Sequence, residues 1–383
     1  MSNRDKDHSI NRRDFLKIGV AGAASLGLVG MSGVLHADPE QTLVYRTLGR
    51  TGLKITTLSF GAMLTPEPEV IRAGLDMGIN YVDTARRYLN GRSEEIVSKA
   101  LVGIRDKVYV ATKTLPTSNT REAIMKDVET SLANLHTDYI DVIQLHNLDS
   151  PARAFIPEVR EAYAALRKQG KVRFLGVTTH TNQAQVIDAV VNDPDKFFDT
   201  VLVAYNFQSE PSVGQAIARA KAAGIGVVAM KIQTGAYRRE AAQTLKPEQA
   251  AAALKWVLQD TNVTTAIAGM KTLDHIKQMM PVMAMKLTHA DERTLSRYGE
   301  LIAPYYCRLC AKCESTCPNG VAISVVNRAL MYAEGYGEYG LAKATFDEVS
   351  TASLCSTCST CVARCVNGLD IGRKMERARS IFA

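Results

Sequence analysis

The chain has 383 residues, 46 basic and 39 acidic side chains, a single Trp and eight Cys. Its 46% hydrophobic content supplies a large core and excludes a disordered chain, and a formal charge of +7 is too modest to signal nucleic-acid binding. All eight Cys lie between Cys307 and Cys365, so no disulfide framework can staple the long stretch before them.

In chain order, the first element is an address. Asn11-Arg12-Arg13-Asp14-Phe15-Leu16-Lys17 gives a basic start to an uncharged, small and apolar run from Ile18 to Leu35. That order reads as an export signal, outside the fold. Arg12-Arg13 with Phe15-Leu16 resembles a bacterial twin-arginine signal, with Asn11 where Ser or Thr is usual. Cleavage is expected after Ala37, giving a signal over residues 1–37. Leu35 suits that cleavage site poorly, so an uncleaved anchor is the alternative. The expected carrier is the twin-arginine translocase, and the expected destination is the periplasm or cell envelope.

From residue 44 to residue 300 short β-branched runs alternate with helical segments. The predicted strands are Thr56–Gly61, Tyr81–Thr84, Val108–Lys113, Ile140–His146, Val172–Val177, Val201–Tyr205, Val227–Met230 and Thr264–Ala268. Between them lie amphipathic stretches such as Thr120–Leu135 and Phe155–Gln169. Apolar strands alternating with helices imply a parallel sheet. Eight units of this length predict an α/β fold, a (β/α)8 TIM barrel over residues 38–300. The competitor is a doubly wound open sheet, but no Gly-x-Gly-x-x-Gly follows the first strand.

Reactive groups in such a barrel sit where strands end. Asp83, Lys113 and His146 end the second, third and fourth predicted strands, and Tyr88 follows Asp83 by five residues. Taken singly, each has an ordinary reading as a loop cap, a core hydrogen-bonding group or a solvated strand end. Their surroundings resemble the aldo-keto reductase family. The matching stretches are Tyr45 to Leu53, Asn80-Tyr-Val-Asp-Thr-Ala-Arg-Arg-Tyr88, Gly91-Arg-Ser-Glu-Glu95, Ala111-Thr-Lys-Thr114, Asp138 to His146 and Lys171 to Val177. The resemblance implies an oxidoreductase acting on a small carbonyl or alcohol. Tyr88 would be the general acid, Lys113 would lower its pKa, Asp83 would hold Lys113, and His146 would position the carbonyl.

The cofactor half departs from the family. Thr178 and Thr179 replace the Ser-Asn pair that binds nicotinamide, Leu202 stands where Gln is usual, and Tyr205-Asn206 is retained. Met230-Lys231 occupies the place of the stacking aromatic. At the adenosine 2′-phosphate positions stand Gly269, Met270, His275 and Met279 in place of Lys, Ser, Arg and Asn, with Lys271 and Lys277 as substitutes. The resemblance therefore implies NADP(H) with Thr178, Thr179, Tyr205, Met230 and Lys231 as contacts, on an eroded phosphate site.

Residues 301–383 carry the sulfur. Cys307, Cys310, Cys313 and Cys317 have C-x2-C-x2-C-x3-C spacing, and Cys355, Cys358, Cys361 and Cys365 repeat it 48 residues later. This is the spacing of a two-cluster ferredoxin, in which the fourth Cys of each run ligates the other cluster. Two [4Fe–4S] clusters are expected. One takes Cys307, Cys310, Cys313 and Cys365; the other takes Cys355, Cys358, Cys361 and Cys317. Zinc is the competitor, but it favours separated C-x2-C pairs. Val325 to Glu334 and Leu341 to Val349 read as helices, giving a small, mostly helical, ferredoxin-like dicluster domain. It resembles the appendage of some bacterial aldo-keto reductase relatives.

The expected function is carbonyl–alcohol interconversion at Tyr88, with electrons exchanged through the clusters with a redox partner protein or a quinone-linked carrier. Two alternatives stand beside it: an NADP(H)-dependent reductase with structural clusters, and a non-catalytic electron-transfer subunit. No nucleic-acid partner is expected.

Overall fold

A computed structural model describes residues 43–234, 245–349, 355, 358 and 360–382. The expected signal over residues 1–37 lies outside these.

The first described element is a hairpin of β1 (Tyr45–Thr47) and β2 (Lys54–Thr56), paired antiparallel. Its turn brings Leu48 and Ile55 against Tyr81 and Val228 inside the barrel, where all four are buried. Gly49 makes that approach possible. Its φ is +51°, and a Cβ there would lie 2.3 Å from the Gly226 nitrogen. Asn80 ties the hairpin down: its Oδ1 accepts from the Thr56 N–H at 2.9 Å and its Nδ2 donates to the Lys54 carbonyl at 2.9 Å.

The barrel follows. Its strands are β3 (Leu58–Gly61), β4 (Tyr81–Asp83), β5 (Tyr109–Lys113), β6 (Ile140–Leu145), β7 (Val172–Thr179), β8 (Thr200–Ala204), β9 (Gly226–Met230) and β10 (Thr265–Ala268). They close in the order β10-β3-β4-β5-β6-β7-β8-β9, every pair parallel. All eight predicted strands are present. The first splits, because Thr56 belongs to the hairpin and only Leu58 onward joins the barrel. The fifth runs two residues further than expected, to Thr179, because Thr178 and Thr179 pair with Leu202 and Val203 of β8. The inter-strand helices lay apolar faces on the barrel's outer surface: Ile124, Val128 and Leu132 of Arg121–Leu135 are buried, as are Val159, Ala162 and Leu166 of Pro157–Lys168.

The C-terminal module is helical, as the sequence implied. Helices span Ile323–Leu330, Tyr339–Phe346 and Ile371–Phe382, and a π-helical turn spans Met331–Tyr336. Its apolar core is continuous with the barrel mouth. Val321, Ile323, Val326, Leu330 and Phe346 form one cluster with Ala85 and Tyr88. Barrel and module accordingly belong to one compact unit.

Candidate active site

Three strand ends, those of β4, β5 and β6, carry the expected site at the barrel mouth. Asp83 closes β4 and Lys113 closes β5, and each is only 1% exposed. The Lys113 Nζ donates to Asp83 Oδ1 at 2.5 Å and to the Thr84 carbonyl at 2.6 Å. The second oxygen of Asp83 accepts from Gln144 Nε2 at 2.9 Å, so the carboxylate is fully partnered. The Gly91 to Glu95 motif braces this pair from behind. Glu94 accepts from Thr112 Oγ1 at 2.6 Å, one residue before Lys113, and the Ser93 hydroxyl lies 2.8 Å from that of Thr84.

Tyr88 begins a tight turn whose next two residues, Leu89 and Asn90, sit in the left-handed region. That turn carries the phenol back over the strand ends. Lys113 Nζ lies 4.9 Å from the Tyr88 ring centroid, and the His146 ring meets Tyr88 edge-on at 6.1 Å between centroids. The four residues of the expected tetrad are therefore neighbours.

Their electrostatics differ from the expectation in one respect. Burial, reinforced by the Asp83 carboxylate, pushes the Tyr88 phenol well above its ordinary range, against a smaller opposing pull from Arg87. The net shift is upward despite the nearby Lys113. The ammonium faces Asp83 and the Thr84 carbonyl and meets the Tyr88 ring rather than partnering its hydroxyl. Tyr88 thus holds its proton. Burial also pulls Lys113 down, with Asp83 as the counterweight that keeps it charged. His146 is driven well below 6.5 by burial and then by the charges of Lys113 and Arg87, so its imidazole is neutral. Its Nδ1 is buried and has no hydrogen-bond partner among the described residues.

A cleft of about 130 Å³ opens beside this group, lined by Asp83, Tyr88, Met230, Lys231, Lys271 and His275 among others. Of the expected cofactor contacts, Met230 and Lys231 line it. Thr178, Thr179 and Tyr205 do not. The extension of β7 turns the two threonine hydroxyls onto backbone: Thr178 Oγ1 accepts from the Asn147 N–H at 2.7 Å, and Thr179 Oγ1 donates to the Thr181 carbonyl at 2.8 Å. The Tyr205 hydroxyl donates to Asp260 at 3.1 Å and its ring packs on Trp256.

Several mouth residues escaped the sequence reading, because the chain 100 or more residues later supplies their partners. The π-helical turn of the C-terminal module places Tyr332 and Tyr336 over the mouth. Their ring centroids lie 4.8 and 4.6 Å from Lys231 Nζ. The Tyr332 hydroxyl is 3.4 Å from His180 Nε2, just beyond β7. Arg328, 1% exposed, donates to Asn147 Oδ1 at 2.7 Å and to Glu348 Oε2 at 3.0 Å, and Arg87 also bonds Glu348. The π-turn was the available signal: such turns concentrate at functional sites, but they cannot be read from spacing.

The thiols of the C-terminal module lie near one another in two neighbourhoods. All eight Cys are free. Burial pushes the Cys307 thiol up to about 12, and the neighbouring thiols that add to it are Cys313, Cys310 and Cys365. Cys355 is raised by burial and then by Cys361, Cys317 and Cys358. Cys317, Cys355, Cys358 and Cys361 line one cavity, into whose Cys358 sulfur Asn319 Nδ2 donates at 3.2 Å. No group of three or more His, Cys, Asp or Glu among the described residues converges on a single-ion site. Thiols ranged around a cavity suit one thiolate per iron of a cluster. On the barrel side, Glu210 docks the first Cys run by accepting from Arg308 at 3.2 Å and Lys312 at 3.0 Å.

The sequence model of the Aldo/keto reductase family matches residues 65–249. That stretch takes in most of the barrel, which is similar to this family. A methylglyoxal reductase of Escherichia coli is 27% identical over 247 residues, covering 60% of this chain and 84% of that protein. An aldo-keto reductase of Bacillus subtilis is 39% identical over 155 residues, 35% of this chain and 46% of its own length. Among solved structures, the holo form of an aldo-keto reductase from Bacillus halodurans superposes with a TM-score of 0.56 at 25% identity, covering 67% of this chain and 96% of that one. The chain is an oxidoreductase.

Proposed function

We propose that the chain interconverts a small carbonyl compound and its alcohol at Tyr88, exchanging electrons through two [4Fe–4S] clusters held by its own eight Cys. The observation that carries this reading is the position of Lys231. It lines the cleft that holds Asp83 and Tyr88, and it also lines a second cavity that holds Cys307. Lys231 is thus common to the walls of the reaction cleft and of the cavity beside the first Cys set.

In the reduction direction Tyr88 donates its proton to the carbonyl oxygen. Its raised pKa keeps that proton in place until the oxygen gains charge. Lys113, held by Asp83, sets a positive charge beneath the ring. His146, neutral and edge-on to Tyr88, orients the oxygen. When bound, the clusters would supply one-electron exchange with a redox partner protein or quinone-linked carrier. Cys307, Cys310, Cys313 and Cys365 would hold one, and Cys355, Cys358, Cys361 and Cys317 the other. Carbonyl reduction needs two electrons, so a bound nicotinamide, a flavin or a radical step must join the two counts. The twin-arginine signal and the periplasm or cell envelope belong to this reading, since that route carries folded, cluster-loaded protein.

A second reading is favoured by the cleft itself, which runs from Tyr88 to Gly269 and His275, two of the family's 2′-phosphate positions, and to Lys271, a substitute there. It is an NADP(H)-dependent reductase with structural clusters. Titrating the iron-loaded protein with NADPH and NADH separates the two, with cofactor fluorescence and cluster absorbance followed together. Cluster bleaching coupled to substrate turnover supports electron exchange. Turnover with NADPH that is unaffected by Cys310→Ala supports structural clusters.

A further inference from the structure

Lys231 is the residue that the tetrad leaves unexplained. It follows β9 with φ +56°, a left-handed conformation that is uncommon outside glycine. Backbone of this kind persists where the surroundings over-determine it, and it clusters at ligand clamps. Here the turn carries the side chain into the barrel mouth. The ammonium lies against the faces of Tyr332 and Tyr336 and 3.8 Å from the Met63 sulfur. Two ring faces hold a cation in place without neutralising it. No carboxylate lies within ion-pair distance of Nζ among the described residues. The acid that shares its cleft, Asp83, is bound to Lys113 and Gln144. Burial, and then the charges of Arg328 and Lys113, pull the Lys231 ammonium down to about 7, so the cleft wall presents an amine that an incoming anion would hold charged, beside a proton-donating phenol.

Size narrows the ligand. About 130 Å³ is small against the roughly 300–1,000 Å³ of drug-sized ligand pockets. A molecule that reaches both Tyr88 and Lys231 within it has its anion close to its carbonyl.

We infer that Lys231 is a substrate-recognition residue, pairing with a carboxylate adjacent to the reacting carbonyl, so that the substrates are small 2-oxo acids and the matching 2-hydroxy acids. This rests on the reading of Tyr88 as the reacting group. Tyr332 and Tyr336 then act as positioning residues that aim the ammonium, and the C-terminal module takes part in choosing the substrate.

The test uses the full, iron-loaded chain and isothermal titration with pyruvate, 2-oxoglutarate, and pyruvamide as the uncharged isostere of pyruvate. Lys231→Gln, checked for unchanged iron content, should weaken binding of at least one of the two 2-oxo acids ten-fold or more and leave pyruvamide unchanged. Lys231→Arg should restore most of the loss. In turnover the Lys231→Gln defect should fall on KM more than on kcat. NADPH titration of the same variant is the control for the other source of negative charge. If Lys231→Gln weakens NADPH and not the 2-oxo acids, the cation serves cofactor phosphate and the proposal is wrong. It is equally wrong if the wild-type protein binds neither 2-oxo acid more tightly than pyruvamide. Tyr88→Phe should keep 2-oxo acid binding and lose turnover. Retained turnover in that variant contradicts the reading of Tyr88 and leaves the binding result for Lys231 intact.

Discussion

Asp83 and Lys113 are each 1% exposed, and neither can lose its partner without leaving a desolvated charge. Lys113→Met should therefore lower unfolding free energy by about 3–5 kcal/mol, read from urea unfolding, and Asp83→Asn added to it should recover part of the loss. Tyr88→Phe removes only a hydroxyl at a site that stays packed. It should leave the fold intact and lower kcat by about 10²–10⁴-fold, the range of one general acid. The pH profile follows from the direction of the shifts. A general acid works while protonated, and the Tyr88 pKa is raised, so the reduction rate has no alkaline limb from Tyr88 near pH 10. The oxidation direction needs the phenolate and should rise with pH across the accessible range. His146 lies well below 6.5 and is neutral throughout, so it gives neither direction a limb near that value; Lys231, pulled down to about 7 by burial, is the cleft group that titrates there. An inflection at pH 6–7 that disappears in His146→Gln would contradict this assignment. The tetrad was legible because each member sits at or just past a strand end, where the barrel must aim it into the mouth. The direction of the Tyr88 shift was not legible, because it depends on burial under the C-terminal module and on which atoms Lys113 faces.

At the scale of elements, the helix Ile323–Leu330 and the π-turn Met331–Tyr336 matter as much as the strands. They bring Arg328 into a buried network with Asn147 and Glu348, and Glu348 also bonds Arg87 just before Tyr88. The turn that holds the phenol is thus tied to the module. Arg328→Met should cost about 1–3 kcal/mol, since Glu348 keeps Arg87 while Asn147 Oδ1 and one Glu348 oxygen lose a buried donor. It should also lower turnover without altering the iron content. A variant with wild-type activity would show that the module merely covers the mouth. The helices themselves were readable as amphipathic runs. Their destination was not, since apolar period specifies a buried face but not which surface buries it. The extension of β7 to Thr179 likewise depends on pairing with β8, and it is what draws Thr178 and Thr179 away from the expected cofactor contact.

At the scale of the whole molecule, the order of parts along the chain becomes an order in space. The cleft holds Tyr88, the adjoining cavity holds Cys307, and a further cavity holds Cys317, Cys355, Cys358 and Cys361. The barrel was legible from eight apolar runs, and the two Cys sets from a duplication offset by 48 residues. How closely the first set docks on the barrel was not, because Glu210 and its partners Arg308 and Lys312 look like ordinary surface charges in sequence. Anaerobically reconstituted protein should hold about eight irons per chain, four for each cubane, and Cys310→Ala should lose about half of them. The most direct measurement of the central claim is a single turnover. Clusters are reduced chemically, excess reductant is removed, and a small 2-oxo acid is added while visible absorbance is followed. By two one-electron steps, with one proton from Tyr88 and one from solvent, the account predicts that the clusters reoxidise in the wild-type protein as the hydroxy acid forms, with one product for each two electrons lost, and stay reduced in Tyr88→Phe. Clusters that stay reduced in the wild type while added NADPH alone drives product formation would contradict it.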